Sequence, residues 1–451
     1  MAKKSQGPIV ATLLKEHFGQ APLHELITAS RRFPITARVD LQVALDGLFG
    51  GPYRVEKLVG PHPQWSHEPV TFPALIVENE QPVLIGPLQY GEIDLGDALP
   101  VRCLENGLWL CEHARERFAL LLAPAGHYGQ TTGVRLEVAV RPGEAGLRLT
   151  QGFFGEVERA VSAAGSYRGK VLSLEELSNY SGKSSGIKVH KLRPVDRSEI
   201  VLPEKTLRLL ERNVMEFAAQ RTRLRELQMS AKKGLLFHGP PGTGKTHTIH
   251  YLAGQLAGHT TLLVTAEQVA LLAEYMQLAR FLQPAIVVFE DVDLIARDRA
   301  ARHNPCSESL LNQLLNEMDG LREDAEIFFI LTTNRPQDIE AALASRPGRV
   351  DQAIEFPLPD EEGRRKLIRL YARGLIVSEE VAATIARKTE GGSAALIKEL
   401  MRRAAQSHLH AQAKGALALQ HVEEALDEMV FSGGRLNLKL LGGDVSETEQ
   451  E

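Results

Sequence analysis

At 451 residues and 43% hydrophobic content, the chain has the composition of an ordinary globular protein with sizeable cores, and its length suggests about three domains. A formal charge of −5, from 52 Lys+Arg against 57 Asp+Glu, argues against a dominant nucleic-acid surface. Three scattered cysteines (Cys103, Cys111, Cys306) are too few for a disulfide framework or a four-thiolate zinc site, and no apolar run approaches the length needed to cross a bilayer.

The N-terminus carries no secretory apolar stretch, so the expectation is a cytoplasmic protein with no membrane span and no nucleic-acid partner. A helical stretch is predicted over Ile9 to Leu26. Short apolar runs punctuated by Pro and Gly follow, at Leu75–Val77, Val83–Ile85, Gly107–Leu110 and Phe118–Ala123. Val134–Val140 alternates as a half-buried strand would. Residues 1–195 therefore read as an α+β domain. His24-Glu25 begins like a zinc-protease helix, but Thr28 stands where the second histidine is required, and the 15 histidines form no other ligand spacing. Trp65 and Trp109 read as core or loop anchors. Ser178–Gly186 is a polar linker, after which Leu207, Leu210, Val214 and Phe217 mark a long amphipathic helix leading into a second domain.

Gly239, Pro240, Pro241, Gly242, Thr243, Gly244, Lys245 and Thr246 make a complete phosphate-binding loop, placed between the apolar run Gly234–Phe237 and a helical pattern that includes Ile249, Leu252 and Leu256. Glycines let successive N–H groups point at phosphate oxygens. Lys245 supplies a positive charge beside the β- and γ-phosphates, Thr246 offers a hydroxyl to Mg²⁺, and the helix beginning there turns its positive end to the anion. His247 closes the run expected to contact nucleotide. ATP and Mg²⁺ are the cofactors this chemistry asks for. A second acidic strand is then needed, and Ala285–Phe289 followed by Glu290, Asp291 and Asp293 supplies it, with the carboxylates at the strand's C-terminal end.

Leu311–Gly320, the apolar run Ile327–Leu331 ending in Thr332-Thr333-Asn334, and Ser345–Asp351 follow in order. Together with the loop and the acidic strand, these blocks resemble the classical AAA clade of the AAA+ ATPases over residues 196 to 432. The resemblance implies an α/β P-loop AAA+ module, a parallel sheet flanked by helices, over 196–358. A helical lid over 359–432 and a mobile acidic tail over 433–451 complete the division. It also implies roles for particular residues. Asn334 matches the first sensor, which orients the lytic water, and Arg346 and Arg349 match arginine fingers that reach a neighbouring subunit's nucleotide. A planar, always charged guanidinium suits that task. The implied assembly is a homo-oligomeric ring, a hexamer, acting on a protein substrate or adaptor through residues 1–195. No arginine stands at the head of the helix beginning near Gly392-Ser393-Ala394-Ala395, so no second sensor is assigned.

Two features depart from that pattern. The usual Asp-Glu order is inverted, so that by position Glu290 serves Mg²⁺ together with Thr246, while Asp291 polarises the nucleophile; the alternative register places Asp291 on the metal and Asp293 as base. Glu267 to Gln277 is too short for the usual aromatic pore loop, leaving Tyr275-Met276 as core residues or as a substitute grip. Both departures resemble the mitochondrial AAA translocase type that inserts the Rieske protein. The expected function is ATP-driven remodelling, chaperoning or translocation of a protein; the alternative is a nucleotide-gated scaffold with slow or no hydrolysis.

Overall fold

The structure, a computed structural model, describes residues 8–63, 69–77, 82–127, 130–175, 186–294, 306–322, 325–339 and 348–429. The chain divides into two compact units, Met1–Arg168 with Leu172–His190, and Gly169–Val171 with Lys191–Glu451. The division thus falls at His190/Lys191, five residues before the expected 195/196, and a short earlier segment belongs with the second unit. Thr261 N donates to Lys170 O there at 2.9 Å.

Seven antiparallel strands build the first unit: β1 (Ile27–Pro34), β2 (Arg54–His62), β3 (Leu84–Gly86), β4 (Gln89–Ile93), β5 (Val101–His113), β6 (Glu116–His127) and β7 (Gln130–Val140). Their order is β1-β7-β6-β5-β2-β3, with β4 also on β5. Only Val10–His17 (α1) of the predicted N-terminal helix is α-helical; Phe18 closes it, and Leu23–Glu25 forms a separate 3-10 turn. Val10, Leu14, Phe72 and Leu75 pack with Leu108, Leu110, Ala119 and Leu121 on one sheet face. On the other, Phe153 of α4 (Glu144–Ala163) meets Phe118, and Phe49 at the end of α2 (Arg38–Phe49) meets Trp109. Phe72–Leu75 is a single helical turn, α3.

Coverage of both faces overturns the half-buried reading of Val134–Val140. Glu137, predicted to face solvent, is 7% exposed. Its Oε2 accepts from Phe72 N at 2.6 Å, and its Oε1 lies 2.7 Å from Arg135 Nε, while Arg135 Nη2 donates to Val70 O. A buried carboxylate is tolerated only with such partners.

Two short strands, β8 (Val171–Leu174) and β9 (Ile187–His190), come next in the chain. The second unit then runs from α5 (Glu204–Leu210) through a π turn (Glu211–Glu216) into α6 (Phe217–Glu226), one continuous helical stretch in which Leu207, Leu210 and Val214 are buried as predicted. Its parallel strands β10 (Lys233–His238), β11 (Thr260–Val264), β12 (Ala285–Phe289), β13 (Ile327–Thr333) and β14 (Gln352–Glu355) stand in the order β14-β10-β13-β12-β11. Every residue of β12 and β13 is buried, which explains their unbroken apolar runs. Lys245–Gln255 (α7) adds Ile249 and Leu252 to the core formed by Leu235, Phe237, Val288 and Ile330. Beyond β14, helices Glu361–Ala372, Glu379–Lys388, Ala394–His410 and Leu419–Asp427 share a separate core around Ile368, Ile385, Leu400 and Val422. Asp360, Ser378 and Ser393 cap the first three of these by accepting from the first-turn amides.

Replacing Glu137 with Ala should destabilise the first unit by about 3–5 kcal/mol, because it strands the Arg135 charge. Urea unfolding followed by tryptophan fluorescence reads this unit alone, since Trp65 and Trp109 both lie in it. Glu137→Gln, which keeps an acceptor for Phe72 N, should lose less.

Candidate functional site

The phosphate-binding loop leaves the C-terminal end of β10 and begins α7, as expected. Gly239, Gly242 and Gly244 have φ of 147°, 75° and 98°. At Gly239 the requirement is also steric, since a Cβ would fall 2.2 Å from Phe356 O. Thr243 Oγ1 donates to Pro240 O at 2.9 Å and closes the loop on itself. Lys245 Nζ is drawn under it, donating to Gly239 O at 2.8 Å, Pro240 O at 2.9 Å and Asn334 Oδ1 at 2.8 Å. A cavity of about 380 Å³ opens beside Pro241, Gly242, Thr243, Gly244, Thr246 and His247. Burial depresses the pKa of His247.

Strand order brings the acidic residues to this loop. β13 lies between β10 and β12, with His238 opposite Thr333 and Phe289 opposite Leu331. Asn334, just past β13, therefore stands between the lysine and the acidic turn. Its Nδ2 donates to Asp291 Oδ1 at 3.0 Å. Asp291 itself adopts φ 49°, and its N–H donates to Thr332 Oγ1 at 2.9 Å. Burial, reinforced by the neighbouring Asp293 charge, raises the Asp291 pKa; Lys245 and the Asn334 hydrogen bond oppose this.

Glu290 lies past the last buried residue of β12 and accepts from Thr246 Oγ1 at 2.9 Å. A neutral hydroxyl and a carboxylate are hard oxygen ligands of the kind that suits Mg²⁺, which usually keeps several waters. Asp293, by contrast, is 3% exposed, and its Oδ1 accepts from Thr333 Oγ1 at 2.9 Å and Asn334 N at 3.2 Å. That geometry makes it an anchor for Asn334, in keeping with the first of the two registers. The anchoring roles of Thr332 and Thr333 were missed; two polar residues ending a fully apolar strand were the available signal.

Arg346 lies outside the described residues. Arg349 is described and does not line the cavity. Its guanidinium is mostly buried and pairs with Asp319. Tyr275 and Met276 are fully buried in α8 (Leu272–Phe281), and Tyr275 Oη donates to Leu263 O at 3.0 Å, so the core reading holds. His24 and Glu25 occupy the 3-10 turn. Among the described residues no three His, Cys, Asp or Glu side chains stand together where they could hold a metal ion.

Residues 235–358 match the model of the ATPase family associated with various cellular activities (AAA). The chain is similar to the ATP-dependent zinc metalloprotease FtsH of Thermus thermophilus, at 32% identity over 241 residues, covering 51% of this chain and 38% of that protein. FtsH 3 of Synechocystis sp. is 30% identical over 272 residues, 57% of this chain and 42% of the relative. FtsH 3 of Symbiobacterium thermophilum is 32% identical over 233 residues, 49% and 37%. The chain thus spans about two fifths of the length of these relatives.

Burial pushes the Lys245 pKa down from 10.5 to about 8, against the pull of Asp291 and Asp293. Because the folded value is depressed, the charged lysine destabilises the free protein below about pH 8, and the penalty is relieved as pH rises towards 10.5. Bound phosphates favour the charged form, so nucleotide binding takes up a proton. Near pH 8 the uptake should be about half a proton per site, and it should vanish well below that pH. Titration calorimetry of ADP binding in two buffers of different ionisation enthalpy measures it; no uptake near pH 8 would contradict the assignment.

Proposed function

We infer, from the premise that residues 235–358 are an AAA ATPase domain working with ATP and Mg²⁺, that the full chain is a ring-forming protein that remodels or chaperones a protein substrate, with the first unit as its substrate or adaptor module. The observation that carries the catalytic part is the continuous hydrogen-bonded path Lys245–Asn334–Asp291, with Thr246–Glu290 beside it. Lys245 holds the negative phosphates, and Asn334 fixes both the lysine and the acid. Asp291 orients the attacking water and accepts its proton as the γ-phosphoryl group leaves ADP. Thr246 and Glu290 would hold Mg²⁺, which would supply positive charge against the phosphates.

Arg346 and Arg349 are assigned to the neighbouring subunit's nucleotide. Arg349 would have to give up its pairing with Asp319 to reach it. The buried Tyr275-Met276 pair favours remodelling without a grip from this segment on a threaded polypeptide. The relatives are named as zinc proteases, but the match covers about two fifths of their length, and proteolysis is not part of this proposal. No helix among the described residues is long and apolar enough to cross a membrane.

ATP turnover should vanish with nucleotide binding in Lys245→Ala. It should fall by ~10²-fold or more in Asp291→Asn with binding retained. Binding and ring formation by the wild type without turnover would favour the nucleotide-gated scaffold, to which the inverted Glu290-Asp291 pair also points. Arg349→Ala should lose about 10³-fold in turnover while still binding nucleotide. Mixing it with Lys245→Ala subunits should recover activity, since the latter supply intact arginines; no recovery on mixing would refute action between subunits.

A further inference from the structure

The carboxylate assigned to the attacking water is carried on a sharply turned backbone. Glu290 N still follows the sheet, donating to Val264 O at 3.0 Å, but the next residue, Asp291, adopts φ 49° in the left-handed region. Asp291 O then accepts from Leu294 N at 2.9 Å, so the chain leaves the strand and turns at this one residue. A side chain enters the left-handed region at a cost that aspartate bears better than most. Such a conformation persists where its surroundings hold it.

The Asp291 amide is held by a side chain from the neighbouring strand. It donates to Thr332 Oγ1 at 2.9 Å. Thr332 is the penultimate residue of β13, a strand buried along its whole length, so water does not compete for this hydroxyl. Branching at Cβ also restricts the direction in which Oγ1 can point. The adjacent hydroxyl is engaged elsewhere, since Thr333 Oγ1 donates to Asp293 Oδ1 and accepts from Arg335 N, both at 2.9 Å. An aspartate carboxylate sits one bond beyond Cβ and follows its backbone closely, with little reach to correct an error. Asp291 Oδ1 accepts from Asn334 Nδ2 at 3.0 Å. Thr332 and Asn334, two residues apart, thus fix the backbone and the carboxylate of the same residue.

We propose that Thr332 is a positioning residue for ATP hydrolysis: by accepting the Asp291 amide it fixes the left-handed turn that aims the carboxylate at the attacking water. Thr332 does not line the nucleotide cavity, so its effect passes through Asp291. The inference rests on the reading of Asp291 as the group that activates water.

The test compares wild type, Thr332→Val, Thr332→Ser, Asp291→Asn and the Thr332→Val/Asp291→Asn double variant of the full chain. Steady-state ATP turnover, ADP affinity by calorimetry and amide hydrogen exchange without nucleotide are measured on each. Valine keeps the shape of threonine and removes the acceptor. Thr332→Val should lower kcat by roughly 10- to 100-fold, the cost of misplacing a reacting group by up to about 1 Å, and leave KM and ADP affinity unchanged. Thr332→Ser, which keeps the oxygen, should restore most of the loss. In the Asp291→Asn background the valine should cost nothing further, because the two residues act as a unit. Residues 290–294 should exchange faster in Thr332→Val than in wild type or Thr332→Ser. An unchanged kcat in Thr332→Val, an equal loss of ADP affinity, or a further loss in the double variant would overturn the proposal. Normal turnover by Asp291→Asn would overturn the reading of Asp291 and this proposal with it, whereas slow Asp291→Asn beside normal Thr332→Val would overturn this proposal alone.

Discussion

The insertion of β13 between β10 and β12 decides the geometry of the nucleotide site. A strand lying there ends between the phosphate-binding loop and the acidic turn, and its last residues must serve both. Thr332 Oγ1 takes the Asp291 amide, Thr333 Oγ1 donates to Asp293, and Asn334 then spans from Lys245 to Asp291. Slipping the pairing by one residue would turn Thr332 and Thr333 to opposite faces and dismantle all three contacts together. The fully apolar body of β13 does little to oppose such a slip, because both of its faces are buried in either register. The polar end residues complete the specification.

This arrangement gives a physical reading of the inverted acidic pair. The longer side chain, Glu290, sits just outside the buried strand and has the reach to meet Thr246 Oγ1. The shorter one, Asp291, is carried by a left-handed backbone, φ 49°, which an aspartate tolerates better than most residues. That conformation is held from two sides, by Thr332 on the amide and Asn334 on the carboxylate. With this turn, Glu290 Oε1 accepts from Thr246 of the loop and Asp291 Oδ1 accepts from Asn334.

Much of the second unit was legible in the sequence because its signals are local. A glycine-rich loop between a strand and a helix and unbroken apolar runs for strands buried on both faces each act within a few residues of themselves. What was not legible depends on distant partners. The insertion of β13 is a choice among strand orders that the runs do not encode individually. In the first unit, Val134–Val140 has the alternation of a half-exposed strand, yet the 69–75 segment covers its polar face and satisfies Glu137 and Arg135. Periodicity reports which side chains alternate, not what is later laid across them. Tyr275 illustrates the reverse case: its helical neighbours Leu272, Met276 and Ala279 already marked a buried face, and the structure follows that pattern.

Tyr275 and Met276 both lie in the core, so neither side chain of this pair is presented at the surface. A direct hydrogen-bonded link from the phosphate-binding loop to the C-terminal helices begins at Gly242. Its carbonyl holds Ala395, and its missing side chain makes room for Ser393, so the start of the helix Ala394–His410 is tied to the loop. That helix shares a close-packed core with the three others beyond β14, and such cores shift as bodies because small internal displacements create voids or overlaps. Through that core the contact at one glycine ties all four helices to the phosphate-binding loop. A residue larger than glycine at 242 would break that tie, because its Cβ would meet Ala395 and Ser393 and keep them away from the loop.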